Sequence, residues 1–292
     1  MRRRRNNYGR RNNYRRRRKW RKGRVCGLIA ILAVIIIGIV VVVKAGGTKY
    51  ESVNKGIGEY MVKANEGLLD EDTGKQFKKN LYVPRKIDRT KKLIAFTFDD
   101  GPEKENTERI LAALDKYNFR ATFFMLGQNA KKYPDTVEKV YKSGNEVAGH
   151  SWNHPDLRRL SKAKIKEQYD SMNNALYAAC KSKAALFRPP YGAVNKNVEQ
   201  IIDKPLILWS VDTLDWKTKN TNATIKIILK NAKDGDIILM HDIHKATVAA
   251  VEKVLPKLKK EGFEVCTVSE LLEVKGVKAK KGDKVFSATN IR

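Results

Sequence analysis

The stretch LIAFTFDDGP, residues 93–102, sets an apolar run of strand length directly before two carboxylates and a Gly-Pro turn. Six residues of this kind are too few for a buried helix and suit a strand covered on both faces. Further apolar runs fall at 121–126, 146–148, 186–187, 206–210, 237–240 and 263–268. Helical patterns lie at 107–117, 134–142, 162–180, 195–202, 223–230, 247–260 and 268–273. Seven strands alternating with seven helices predict an α/β fold with a parallel sheet and helical crossovers, either open or closed into a barrel. Polar groups gather where the strands end: Asp99 and Asp100 after the first, His150 after the third, Arg188 after the fourth, Asp212 after the fifth and His241 after the sixth. In a closed α/β barrel those ends form one rim, and chemistry is assembled there.

The 292-residue chain carries a net charge of +28, and 14 of its 60 Lys and Arg lie in residues 1–24, which hold no acid. Residues 25–43 (VCGLIAILAVIIIGIVVVV) follow without a charge. As a helix they span roughly 28 Å, about one hydrocarbon core, with the backbone satisfied internally. The run is longer than the ~7–15 residues of a secretory h-region and is read as a single transmembrane helix rather than a cleaved signal. The positive-inside rule keeps the basic tail cytoplasmic and puts the chain from about Lys44 onward outside, at the cell membrane. Arg-Arg-Asn-Asn-Tyr occurs at 4–8 and 10–14; with no folded nucleic-acid module beside it, it reads as a tail touching anionic lipid heads, with no nucleic-acid partner. Residues 44–90 are polar and aperiodic, as in an extracellular stalk. Residues 91–274 form the regular domain, and 275–292 a basic tail with a short strand expected at 285–287. Oligomeric state leaves no signature. Cys26 lies in the apolar run, while Cys180 and Cys266 read as small buried residues, not as a disulfide framework.

All four histidines stand in two short segments, HSWNHP at 150–155 and LMHDIH at 239–244. Neighbouring carboxylates at a strand end point in different directions, so of Asp99 and Asp100 one can bind a cation while the other accepts a proton from water. His150 and His154, four apart, fit one ion from a helix face or from a loop. Two imidazoles and one carboxylate suit Zn²⁺, and also Co²⁺, Fe²⁺ or Ni²⁺. His241, with Asp242 beside it, suits a general acid or base; His244 reads as a loop residue near the mouth rather than a ligand. In Arg188-Pro189-Pro190-Tyr191-Gly192 the prolines stiffen a turn able to present a backbone N–H to an oxyanion, and Arg188 can pair with a carboxylate. In Asp212-Thr213-Leu214-Asp215-Trp216, Asp215 can orient His241 and Trp216 offers a flat face to a sugar ring.

TFDDGP at 97–102, HSWNHP at 150–155, RPPYG at 188–192, DTLDW at 212–216 and LMHD at 239–242, in this order, resemble the polysaccharide deacetylase family, also known as the NodB-homology domain or carbohydrate esterase family 4. The resemblance covers roughly residues 91–273. It implies a distorted (β/α)₇ barrel that hydrolyses N-acetyl groups with a divalent metal, Zn²⁺ first and Co²⁺ or another ion next. By the same likeness Asp99 is the base, Asp100, His150 and His154 hold the metal, and His241 is the acid. Arg188 would pair with Asp99, Asp215 would tune His241, and the Tyr191 N–H would meet the oxyanion. Tyr191, Trp216 and Leu239 would contact substrate, Trp216 and Leu239 lining the pocket for the acetyl methyl. An anchored, outward-facing member is most similar to the peptidoglycan N-acetylglucosamine deacetylases of Gram-positive bacteria. An O-acetyl esterase acting on xylan or another acetylated polymer, and an inactive glycan-binding protein, are the rival expectations. The intact Asp99, Asp100, His150, His154 and His241 oppose the latter.

Overall fold

Strand β1 (Lys92–Asp99) is buried from its second residue onward, as befits the centre of a parallel sheet covered on both faces. Its side chains alternate. Ile94, Phe96 and Phe98 join the larger core with the helices, whereas Leu93 and Ala95 meet Ile207, Ile237 and Val285 in a smaller one. Thr97 and Asp99 continue the second series, so the inner column passes from apolar to polar as it nears the strand end. Asp100, at φ 72°, breaks the alternation and leaves the strand direction.

The computed structural model describes residues 87–292, all within one compact unit. The expected cytoplasmic tail, transmembrane helix and nearly all of the stalk fall outside these residues. Among the described residues no helix is long and apolar enough to cross a membrane. Beside β1 stand β2 (Thr122–Met125), β3 (Glu146–Gly149), β5 (Val211–Asp212), β6 (Ile237–His241) and β7 (Phe263–Cys266). Their order is β3-β2-β1-β6-β5, with β7 on the N-terminal half of β1, and every pairing is parallel. A second sheet holds β4 (Leu206–Ile207), β8 (Lys284–Ser287) and β9 (Asn290–Ile291). Single bridges join the two sheets. Phe187 pairs with Gly149 on one side and Leu206 on the other, and Ser287 meets Asp236 just ahead of β6. The parallel sheet thus curls into a barrel-like wall with thin joints, which periodicity alone left undecided.

Those joints are where the expected strands differ from the observed ones. The run at 186–187 supplies one bridging residue, Phe187, because Pro189 and Pro190 have no N–H to extend a ladder. The run at 206–210 breaks into β4 and β5. Between them the Ile207 and Leu208 carbonyls turn to Arg188, accepting its Nε at 3.1 Å and Nη2 at 2.8 Å. The run at 263–268 stops at Cys266, since Thr267 and Glu270 form a capping box that starts a helix (Val268–Val274).

Helix α1 (Lys104–Asp115) begins three residues before its apolar pattern because the Glu103 side chain accepts the Asn106 N–H at 2.9 Å. After it come α2 (Gly127–Lys132), α3 (Pro134–Lys142), α4 (Lys162–Cys180), α5 (Lys196–Ile201), α6 (Asp215–Thr218), α7 (Thr221–Asn231), α8 (Lys245–Lys260) and α9 (Val268–Val274). Helices α3 and α4 have the expected limits. Helices α2 and α6, four to six residues long, are too short to show a helical period. In the basic C-terminal segment, β8 lies along β4 and buries Val285 in the smaller core, joined there by Ala288 just after the strand. Cys180 and Cys266 are free and buried.

Candidate active site

Alternation along β1 aims Asp99 into the barrel, where it is 3% exposed. Arg188, fully buried, donates Nη1 to Asp99 Oδ1 at 2.6 Å and to Thr97 Oγ1 at 2.8 Å. With Nε and Nη2 on the Ile207 and Leu208 carbonyls and the ring of Phe124 4.1 Å beneath it, the guanidinium has no freedom to leave. Burial raises the Asp99 carboxyl above its usual range, and the Arg188 charge only partly offsets this. Asp99 is therefore a stronger base than an exposed aspartate and is fixed in direction.

The loop after β3 carries HSWNHP. It is not helical: Ser151 (φ 69°) and His154 (φ 64°) both take the left-handed region. Ser151 Oγ accepts the His154 N–H at 3.0 Å, and Gln168 Oε1 on α4 accepts the Trp152 N–H at 3.0 Å. This folding back lets both imidazoles face Asp100. His150 Nε2 lies 3.7 Å and His154 Nε2 3.6 Å from Asp100 Oδ1. Ligand atoms of the three lie within 4.8 Å of one another. His150 Nδ1 meets the Arg188 carbonyl at 2.6 Å. A carbonyl can only accept, so Nδ1 carries the proton and the Nε2 lone pair is free to ligate. Burial holds His150 down to about 3, neutral and ligand-ready. Asp100 Oδ1 is buried and has no hydrogen-bond partner among the described residues. An orphaned carboxylate oxygen between two imidazole nitrogens is what a divalent cation would satisfy, so the donor set fits such an ion.

At the end of β6, one carboxylate holds His241 twice. Asp215 Oδ1 meets His241 Nδ1 at 2.9 Å, and Oδ2 accepts the His241 N–H at 2.8 Å. Oδ2 also accepts the Thr247 hydroxyl at 2.7 Å and Oδ1 the Trp216 N–H at 2.9 Å. Burial alone would raise Asp215, yet these bonds bring it below its usual range. Burial disfavours the charged imidazole too, but Asp215, with the more distant Asp99 and Asp100, lifts His241 to about 9. These contacts favour the imidazolium, with Nδ1 committed to Asp215 and the Nε2 proton left as the transferable one.

Tyr191 takes φ 60° in the Pro190–Gly192 turn. Two hydrogen bonds close that turn, Gly192 N–H to the Pro189 carbonyl at 2.9 Å and Ala193 N–H to the Pro190 carbonyl at 3.1 Å, and the Tyr191 N–H belongs to neither. Its exposed ring stands edge-on to His154, centroids 4.5 Å apart. Trp216 is half exposed next to Asp215, whereas Leu239 is buried in β6 two residues before His241. Asp212 Oδ1 accepts the Leu214 N–H at 2.8 Å, and Leu214 takes φ 54°. Asp212 therefore shapes the turn that delivers Asp215. His244 occupies the N-cap position of α8 without a side-chain capping bond, its ring lies 6.1 Å from that of His241, and it stands apart from the three-residue cluster. Thr97, which opens the TFDDGP motif, accepts from Arg188, whereas Thr247 supports the site from outside every motif and nothing in the sequence marks it.

A family model described as polysaccharide deacetylase matches residues 86–205. The chain is 42% identical over 204 residues to the peptidoglycan-N-acetylglucosamine deacetylase PgdA of Listeria monocytogenes, covering 70% of this chain and 43% of that protein. It therefore spans less than half the length of that relative. Among solved structures, peptidoglycan deacetylase PdaC of Bacillus subtilis is similar at 39% identity and TM-score 0.64, covering 65% of this chain and 94% of that one. A family 4 acetyl xylan esterase of Clostridium thermocellum, in complex with a cobalt ion, is similar at 29% identity and TM-score 0.65, covering 68% of this chain and all of that one.

Proposed function

Since the chain belongs to the polysaccharide deacetylase family, we propose that it is a metal-dependent hydrolase removing N-acetyl groups from a cell-wall polysaccharide, with N-acetylglucosamine of peptidoglycan as substrate. The observation that carries this reading is the orphaned Asp100 Oδ1 between His150 and His154, beside the strand end where His241, in register with Asp99, is fixed by Asp215.

Each residue has a separate task. A divalent cation on Asp100, His150 and His154, Zn²⁺ before Co²⁺, would polarise the acetyl carbonyl and lower the pKa of a water molecule. Asp99, aimed by Arg188, is placed to take a proton from the attacking water as the water oxygen bonds to the carbonyl carbon. The Tyr191 N–H, outside the hydrogen bonds of its turn, is available to the oxyanion. His241 then gives its Nε2 proton to the amide nitrogen as the C–N bond breaks, leaving acetate and a free amine. Separate base and acid spare either group from doing both jobs. Trp216 and Leu239 flank Asp215 and His241 and would receive the acetyl methyl and the sugar face.

The peptidoglycan assignment draws on the similarity to the Listeria and Bacillus subtilis proteins and on the net charge of +14 that remains on residues 25–292 once the 14 of residues 1–24 are taken from +28, which suits an anionic wall. The uncharged run at 25–43, with basic residues before it, supports a single-pass anchor with the catalytic domain outside the cell. The similarity to an acetyl xylan esterase favours O-deacetylation as the second reading. Acetate release from N-acetylated peptidoglycan, measured beside O-acetylated xylan, tests the choice. Faster release from peptidoglycan supports the proposal, and release from xylan alone would replace it with the esterase reading.

A further inference from the structure

Asp242 follows His241 at the end of β6 and has no part in the steps above, yet it is only 1% exposed. Its Oδ2 accepts the Thr107 hydroxyl at 2.5 Å, and its Oδ1 has no hydrogen-bond partner among the described residues. The carboxylate lies against Gly101: a methyl group added there would overlap both oxygens and the carbon between them. Thr107 is itself fixed, since its hydroxyl accepts the Glu103 N–H at 2.9 Å in the first turn of α1.

Gly101 directly follows Asp100. The Asp100 carbonyl accepts Asn129 Nδ2 at 2.7 Å, and the Gly101 carbonyl accepts the Leu126 N–H at 3.0 Å. These bonds tie the turn to the segment after β2, while Asp242 packs against its Cα from β6. Burying a carboxylate with one oxygen unpaired is costly, and an apolar side chain of similar size would fill the space at less cost. No side chain larger than glycine's fits at 101 while the carboxylate stays.

We propose that Asp242 is a positioning residue. Through Gly101 and Thr107 it sets the seat of the Asp100 turn against the strand end that carries His241, so that the cation ligand and the proton donor keep their spacing. The inference rests on the reading of Asp100, His150 and His154 as a cation site.

The test uses the purified 292-residue chain, Zn²⁺ affinity by competition with a chromophoric chelator, and the visible absorption of the Co²⁺-loaded protein. Asp242→Ala is expected to weaken Zn²⁺ binding about 10- to 100-fold, the range for partners behind a metal ligand, and to alter the Co²⁺ bands. Asp242→Asn keeps the shape and an acceptor for Thr107, and should restore most of the affinity. Gly101→Ala should weaken binding in the native background and cost less when Asp242 is also Ala. Wild-type affinity and an unchanged Co²⁺ spectrum in Asp242→Ala, with only thermal stability reduced, would overturn the proposal. Should Asp242→Ala fail to fold, Thr107→Val decides: weaker Zn²⁺ binding supports the proposal, and no change in affinity or spectrum overturns it. A native chain that takes up no Zn²⁺ would overturn the cation site and this inference together, whereas equal binding by native chain and variant would overturn the inference alone.

Discussion

Asp215 grips His241 at two points, its Oδ1 2.9 Å from the ring Nδ1 and its Oδ2 accepting the backbone N–H at 2.8 Å. Ring tautomer, ring orientation and strand end are thereby set by one carboxylate, which is itself held by Thr247.

This grip predicts the alkaline limit of activity. His241 is held up to about 9, above the ~6.5 of a free imidazole, and the acid role needs the protonated form. Activity should fall as pH rises through about 9, and Asp215→Asn should move that limb to lower pH while reducing kcat. For stability the sign is the same. A raised folded-state pKa contributes fully below about pH 6.5 and is lost as pH rises through about 9. NMR titration of His241, beside the pH profile of kcat, checks both statements. An alkaline limb unmoved by Asp215→Asn would remove His241 from the acid role.

Asp99→Asn should abolish turnover yet leave metal uptake intact: Asp99 Oδ1 is held by Arg188, and although Oδ2 lies 3.7 Å from His150 Nε2, the clustered ligand atoms are those of Asp100, His150 and His154. His150→Ala should lose both, since it removes a ligand. Metal content of the purified variants, read beside acetate release, separates the cases. Loss of metal from Asp99→Asn would make Asp99 a ligand.

His241→Ala should retain metal while acetate release drops by about 10²–10⁴, the scale for a general acid. Activity close to that of the native chain would assign the leaving-group proton to another residue.

Arg188→Ala should destabilise the fold by about 3–5 kcal/mol, since it leaves the buried Asp99 carboxylate unpaired. Denaturant unfolding measures the loss. Recovery in the Arg188→Ala, Asp99→Ala double variant would show that the cost comes from the stranded charge.

Gly192→Ala should cost about 1–2 kcal/mol of stability. Gly192 has φ +64°, and an added methyl would come within 2.9 Å of the Trp209 ring. Acetate release should fall as well, because the neighbouring Tyr191 N–H shares this turn. Unchanged unfolding would show that the turn tolerates a side chain.

The strand-helix alternation was legible because β1, β2, β6 and β7 are apolar runs buried on both faces. The thin joints were not. Phe187 pairs through a single bridge on each side, and β4 and β5 are two residues each, so no period exists to read. The resemblance brought Asp99, Asp100, His150, His154, Arg188, Asp215 and His241 into one proposal, and the distances above join them in two groups, one around Asp100 and Asp99 and the other around Asp215. Thr247 and Thr107 were invisible, because a threonine inside a helical pattern looks the same whether its hydroxyl meets its own helix or a carboxylate from another element. Asp242 stood in view beside His241, but only the packing on Gly101 gives it a task.

The measurement that bears most directly on the proposed chemistry is the stoichiometry of products from N-acetylated peptidoglycan with the purified 292-residue chain. Acetate and new glycan amines should appear one for one, stop when a chelator strips the protein, and resume when Zn²⁺ or Co²⁺ is returned. Acetate without new amines, or amines formed equally well in the presence of chelator, would contradict a metal-dependent N-deacetylase.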